Sequence, residues 1–179
     1  MQMAKITIEK LDRNVLDKEF DCGNSSINMQ VQASYYPTLL QYAYAYKVSI
    51  SDHIVGYYMI KLRTIKLEKA PSEISEYSCS LISECNAVHI KYIAIDKEYQ
   101  HKTIGTYVLK TIIVSVLNLC KKFPITLITL DALIDKYDWY KRNGFRAFDE
   151  DELQVSQTTI PMYINCILDK KTVNDYCSI

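Results

Sequence analysis

Glycine is scarce in this chain, with four residues in 179: Gly23, Gly56, Gly105 and Gly144. So few glycines are expected mainly where backbone geometry demands them. No GxxxxGK[ST] spacing occurs, which excludes a Walker loop, and no GxGxxG, which leaves a dinucleotide fold unsupported. Net charge is also missing. Lys plus Arg and Asp plus Glu are both 21, so the formal balance is zero. Nothing therefore pulls the whole molecule toward nucleic acid or an acidic membrane, although a local basic patch is compatible with the balance. The six cysteines form no CxxC or CxxH pair, which favours buried reduced thiols over a zinc site or disulfides. No apolar run reaches the roughly 18 residues of a membrane span. Met1–Asp12 alternates like a strand and lacks the apolar core of a secretion signal. The expectation is a cytoplasmic protein with no membrane partner and no metal.

What is present suits one domain spanning residues 1–179. The apolar fraction is 49% and the charged fraction 23%, ordinary for a globular chain. Lys5–Leu11 reads as a strand. Asn24–Ser26 caps a helix that Pro37 is expected to end. Leu39–Ser51 and Ile54–Leu67 read as a hairpin, with Gly56 marking a bulge or a close backbone approach. Glu68–Asn86 is a polar interlude with a weakly helical stretch at Ser72–Glu84. Ala87–Ile95 is apolar enough for a strand buried on both faces. Thr103–Cys120 is a long amphipathic helix, Ile125–Leu130 another buried strand, and Asp131–Asn143 a helix closed by Gly144. Phe145–Phe148 and Met162–Leu168 end the chain as strands. This order predicts an α/β fold around one mixed sheet.

The chemistry concentrates at Ile93–Thr106. There a buried strand ends, a polar turn follows, and a helix begins. The first amide N–H groups of a helix lack intrahelical partners, and the helix dipole favours an anion beside them. His101 and Lys102 add positive charge, and Gly105 permits close backbone approach. Such a joint suits a diphosphate, although an ordinary strand–loop–helix connection has the same outline.

Gln100-His101-Lys102-Thr103-Ile104-Gly105 resembles the [QR]xxGx[GA] motif of the GNAT superfamily of N-acetyltransferases. Tyr92-Ile93-Ala94-Ile95-Asp96 resembles that family's fourth strand, and Trp139-Tyr140-Lys141-Arg142-Asn143-Gly144-Phe145 its FYxxxGF segment. The three occur in order over about residues 88–146. The resemblance implies a single-domain GNAT fold: a mixed, mostly antiparallel sheet of about six or seven strands, flanked by helices and splayed at strands 4 and 5. It also implies acetyl-CoA as co-substrate. Backbone groups of Ile93, Ala94 and Ile95 would pair with the pantetheine arm. Gln100, His101, Lys102, Thr103, Ile104, Gly105 and Thr106 would hold the pyrophosphate. Thr103 departs from the pattern, since the family has glycine there. Its Cβ crowds the phosphate path, while its hydroxyl is placed to donate a hydrogen bond.

The implied reaction is direct attack of a primary amine on the thioester, with no acyl-enzyme. Tyr140 matches the family's general acid, and a phenol with pKa about 10 stays protonated at neutral pH. Its alternative role is core packing. His89 lies where some relatives carry a base; its alternative reading is a satisfied histidine on the sheet face. Phe20-Asp21-Cys22-Gly23-Asn24 with Ile27-Asn28, and Pro161-Met162-Tyr163-Ile164, resemble a toxin-like GNAT subgroup that acetylates aminoacyl-tRNA and pairs with a protein antitoxin. Tyr92 stands where several of those toxins carry Arg. Three readings follow: an acetyltransferase acting on a small-molecule or protein amine, a tRNA-directed toxin, and a non-catalytic acyl-CoA-binding or interaction module. Asn24–Thr38 and Glu68–Asn86 are the expected acceptor regions, with Tyr35 and Tyr36 either lining the groove or packing. A homodimer is the expected assembly.

Overall fold

A computed structural model of the chain describes residues 5–12, 19–76, 78, 81–149 and 158–166. Seven strands hydrogen-bond in the order β1-β2-β3-β4-β5-β7-β6. They are β1 (Ile6–Lys10), β2 (Tyr44–Ile50), β3 (His53–Lys66), β4 (Glu84–Ile95), β5 (Leu127–Leu133), β6 (Arg146–Ala147) and β7 (Thr159–Asn165). The helices are α1 (Ser25–Gln32), α2 (Tyr35–Leu39), α3 (Ser72–Ser75), α4 (Ile104–Cys120) and α5 (Tyr137–Arg142). β1 with β2, β2 with β3, β5 with β7 and β6 with β7 pair antiparallel. β4 and β5 run parallel, which requires a crossover, and α4 supplies it. The α/β class and the element order match the sequence reading.

Helix α4 is rich in β-branched residues, each costing about 0.5 kcal/mol of helix propensity relative to alanine. Ile104, Val108, Leu109, Ile112, Ile113, Val116 and Leu117 are all buried. Burial contributes about 1.5–3 kcal/mol per side chain of this kind. Packing therefore decides the helix against propensity.

Contacts divide the chain into two compact units, and β3, β4 and α4 each contribute residues to both. The first draws on Met1–Lys61 and Ile90–Thr111. Its core joins Leu11, Phe20, Val31, Ala45, Tyr57 and Ala94, with the Phe20 ring edge-on to Tyr57 at 5.0 Å. Asn24 caps α1 by accepting from Ile27 N at 3.1 Å. The second draws on Leu62–His89 and Ile112–Ile179. Its core includes Leu67, Ile74, Ala87, Leu127 and Tyr163. Glu73 of α3 joins strand residues there, accepting from Arg146 at 3.4 Å and Asn165 at 3.2 Å.

Three sequence expectations shift. Pro37 does not end the first helix. It lies at the third position of α2, in a first turn where its missing N–H breaks no rung. Strand β2 consequently begins at Tyr44 rather than Leu39. Among the described residues, the helical reading of Ser72–Glu84 shrinks to the four residues of α3, with Pro71 as its N-cap. Asp131 belongs to β5, and a short 3-10 turn at Ile134–Lys136 precedes α5. An apolar run followed by Asp looks the same whether it ends or continues. The last expected strand is β7, with Ile167 and Leu168 outside the described residues.

Gly56 holds both roles expected of it. The β2–β3 register steps from Val48↔Gly56 to Ser49↔Ile54, so Val55 is the extra residue of a bulge. A Cβ on Gly56 would lie 2.7 Å from Ala94 O and 2.8 Å from Ile95 Cδ1. Gly56→Ala should therefore cost about 1–3 kcal/mol through overpacking. Urea unfolding that left the midpoint unchanged would refute the tight approach.

Candidate functional site

In the first unit, β4 delivers the chain into the polar turn. Asp96 N donates to Val55 O at 2.9 Å, and the Asp96 carboxylate accepts from Glu98 N at 2.9 Å, capping a short 3-10 turn at Lys97–Tyr99. Gln100 then folds its side chain back. Its Nε2 donates to Ile95 O and to Cys22 O, both at 2.9 Å. One amide group thus fixes the turn against the end of β4 and against the Phe20–Asn28 segment. The Gln100 side-chain N–H groups serve the loop's own shape, so any contribution to anion binding comes from its backbone.

The same segment is held from the other side by Asp21. Its Oδ1 accepts from Gly23 N and Asn28 Nδ2, both at 2.8 Å, and its Oδ2 accepts from Lys97 Nζ at 3.0 Å. Asp21 O accepts from Lys97 N at 2.9 Å. The bond from Gly23, then those from Asn28 and Lys97, pull the Asp21 carboxyl down to about 2. The Lys97 ammonium is pushed up by the same pairing. The two separate sequence signals, Phe20–Asn28 and Lys97–Gln100, are one hydrogen-bonded structure.

His101 and Thr103 both occupy the left-handed region, with φ of 59° and 64°. Thr103 stands where the family motif has glycine, and its backbone has the conformation glycine adopts at least cost. Its hydroxyl donates to Lys102 O at 2.6 Å, so it is spent locally and not on a ligand. Tyr107 N donates to Thr103 O at 3.0 Å, which sets the first rung of α4. The amides of Ile104, Gly105 and Thr106 precede that rung, as an anion site requires. Lys102 Nζ lies 5.1 Å from the Tyr99 ring centroid, a cation–π contact at the loop surface.

In the second unit, Tyr140 sits in α5, whose end has the geometry of a Schellman motif. Phe145 N donates to Tyr140 O and Gly144 N to Lys141 O, both at 3.1 Å. Gly144 has φ of 90°, a conformation that favours glycine. The accompanying apolar contact is Phe145 edge-on to Tyr140 at 5.7 Å, with Trp139 at 4.7 Å on Tyr140 as well. The Y-x-x-x-G-F spacing is thus a helix ending that fixes one tyrosine ring. Burial raises the pKa of the Tyr140 hydroxyl above the usual phenol range. The group stays protonated at any working pH, as a proton donor must.

His89 is buried on β4. Its Nδ1 lies 3.1 Å from Thr129 Oγ1, and its Nε2 lies 3.8 Å from the Asp131 carboxylate. Thr129 and Asp131 are two apart on β5, so they share one face. The sequence reading offered a base or a satisfied histidine; the ring is held by a hydroxyl on one side and faces a half-exposed carboxylate on the other. Asp131 and Thr129 were missed in the sequence, since Asp131 read as a helix start. They also line an open cleft of about 510 Å³ that takes in Arg63, Lys66 and Lys69. Among the described residues no group of three metal-ligating side chains is found, and no helix is long and apolar enough to cross a membrane.

No family model and no curated protein matches the chain. Solved structures do. A bacterial toxin superposes with a TM-score of 0.76 at 17% identity, covering 98% of this chain and 95% of that one. AtaTR bound with AcCoA gives 0.75 at 19%, covering 94% and 96%. AtaT complexed with acetyl-methionyl-tRNAfMet gives 0.74 at 18%, covering 90% and 95%. The chain has the GNAT fold. Within that fold, Ile93–Thr106 forms the strand–turn–helix joint, and Tyr140 and His89 occupy α5 and β4.

Two outcomes check the loop. The Asp21 carboxyl is depressed in the folded state, so its stabilisation is complete above the ordinary carboxylate pKa of about 3.9. It is lost as pH falls from there toward about 2. Thermal melts from pH 5 to 2 should show that loss, and Asp21→Asn should flatten it. Thr103→Gly should stabilise the fold by about 1 kcal/mol through relief of strain, less the entropy glycine adds to the unfolded chain. A lower melting temperature for that variant would contradict the strain.

Proposed function

We propose that the protein is an acetyl-CoA-dependent N-acetyltransferase, one GNAT domain over residues 1–179, acting by direct amine attack. The observation that carries this is the Schellman-locked Tyr140, protonated and held by Phe145 and Trp139. The strand–turn–helix joint supports a cofactor role. Ile93, Ala94 and Ile95 offer backbone groups for the pantetheine arm. The backbone of Gln100–Thr106 curves around the helix start, with Ile104, Gly105 and Thr106 contributing N–H groups and His101 and Lys102 positive charge. Acetyl-CoA supplies the activated acyl group. His89 accepts a proton from the incoming ammonium, the neutral amine attacks the thioester carbonyl, the C–S bond breaks, Tyr140 protonates the departing thiolate, and the phenolate so formed takes the second proton from the nitrogen as the amide forms.

A second reading, a toxin that acetylates aminoacyl-tRNA, is favoured by the neighbours. They include AtaT with acetyl-methionyl-tRNAfMet, a KacTA–DNA complex, and an AtaT mutant bound to the C-terminus of the antitoxin AtaR and acetyl-CoA. Tyr-to-Phe mutants of KacT and AtaT are also among them. A protein partner fits the exposed apolar side chains Tyr36, Leu39, Leu40 and Tyr42. A second copy in a homodimer or an antitoxin would cover such a face.

Tyr140→Phe should lower thiol release from acetyl-CoA by about 10²–10⁴-fold in an amine panel that includes charged tRNA. Acetyl-CoA affinity by calorimetry should stay within a few-fold. Unchanged turnover would remove Tyr140 from the mechanism, and no binding at millimolar acetyl-CoA would remove the cofactor.

A further inference from the structure

One side chain separates His89 from the open cleft of the second unit. His89 is 7% exposed and is not among the residues that line the cleft of about 510 Å³. Asp131 lines it, half-exposed, and is the acid among its described lining residues. Asp131 Oδ2 lies 3.8 Å from His89 Nε2. An amine entering this cleft therefore meets the Asp131 carboxylate before it meets the imidazole.

We infer that Asp131 takes the proton of the acceptor's ammonium and passes it to His89 Nε2, and that Thr129 holds His89 in the tautomer able to receive it. A neutral imidazole carries one N–H and one lone pair. An N–H turned toward a carboxylate would draw it to about 2.8 Å, and the 3.8 Å gap is that of a bare Nε2. Nδ1 then carries the hydrogen and donates to Thr129 Oγ1 at 3.1 Å. Thr129 is 1% exposed and shares a strand face with Asp131, so one stretch of β5 sets both ends of the ring. In the relay an N–H bond of the ammonium breaks and an O–H bond forms on Asp131. That O–H bond then breaks as an N–H bond forms on Nε2. Asp131 ends as a carboxylate beside an imidazolium, and the electron pair left on the amine attacks the thioester. Nothing is oxidised or reduced. Asp131 is thus a catalytic residue, and Thr129, acting through His89, a positioning residue. The relay rests on the acetyltransferase reading; the tautomer does not. The other charged groups lining the cleft are Arg63 and Lys66 of β3 and Lys69 of the turn after it, while Phe148 and Pro161 bring no charge. None of them changes in the test variants.

Two measurements test the assignment. Nitrogen NMR of the imidazole, with the His89 signals identified by their loss in His89→Gln, should show hydrogen on Nδ1 and none on Nε2 in the neutral ring. Thr129→Val should lose that preference and Thr129→Ser should keep it. Hydrogen on Nε2 overturns the proposal, whether or not any amine is acetylated. Turnover is then followed with a peptide α-amine, of pKa about 8, and a lysine ε-amine, of pKa about 10.4. Asp131→Asn should lower the rate at pH 7 by about 10²-fold. His89→Gln should lower it equally, and the double variant should lose no more than either alone. Raising the pH should restore both variants as each amine becomes neutral in solution, sooner for the α-amine. An Asp131→Asn loss that persists at high pH, or no loss at pH 7, overturns the relay. Where the wild type acetylates neither amine, the enzyme reading fails for them and the NMR still decides. There Asp131→Asn should lower the His89 titration midpoint by about half a pH unit or more, and an unchanged midpoint overturns the pairing.

Discussion

A single side-chain amide sets the shape of the turn between β4 and α4. Gln100 donates to the carbonyl of Ile95, where β4 stops, and to that of Cys22, in a segment 78 residues earlier. Both acceptors are backbone oxygens that would otherwise need another partner. Satisfying them from one group forces the turn to curl back, and that curl brings His101 and Thr103 into the left-handed region. The amides at the start of α4 then follow a sharply bent backbone rather than an extended one. Asp21 and Asp96 reinforce the same bend through Gly23, Lys97 and Glu98. The loop owes its form to side chains outside the helix whose N-terminus it exposes.

Steric fit beneath the loop matters as much as hydrogen bonding. Gly56 leaves just enough space for Ala94 O and Ile95 Cδ1, and the Val55 bulge turns β3 at that point. The backbone expected to meet the pantetheine arm is therefore backed by a strand that cannot carry a side chain there. In the other unit a helix ending does the equivalent work for Tyr140. Its carbonyl closes the motif and its ring meets Phe145, so backbone and side chain are fixed by one local arrangement.

Much of the fold was legible because its signals are local. The apolar runs of β4 and β5, the periodicity of α4 and the glycine closing α5 all lie within short windows, and the structure reproduces their order. Gly56 was legible too, as glycine interrupting a strand. Errors arose where identity does not determine state. Pro37 is as compatible with a helix's first turn as with its end. Asp131 after an apolar run reads as a helix cap, yet here continues β5. At the site, Gln100, Thr103 and Tyr140 were visible as a spacing with roles implied by the resemblance, but the hydrogen bonds and ring contacts that fix them were not. The Gln100 acceptors and the His89 partners come from distant segments, 78 and 40 residues away.

The bond from Gln100 to Cys22 also orders events in time. It closes a loop of 78 residues, and such long closures are entropically expensive and slow compared with forming α4 or the α5 ending. On a ribosome, the Phe20–Asn28 segment emerges long before its partner exists. It must wait, with α1 and the hairpin of β2 and β3 already made, until residue 100 clears the tunnel. The helix ending that carries Tyr140 needs only its own six residues and the three that follow. Residue 100 clears the tunnel before residue 140, so during synthesis both ends of this bond are available before the tyrosine clamp exists; when the full-length chain refolds, the local clamp closes first and the 78-residue closure follows.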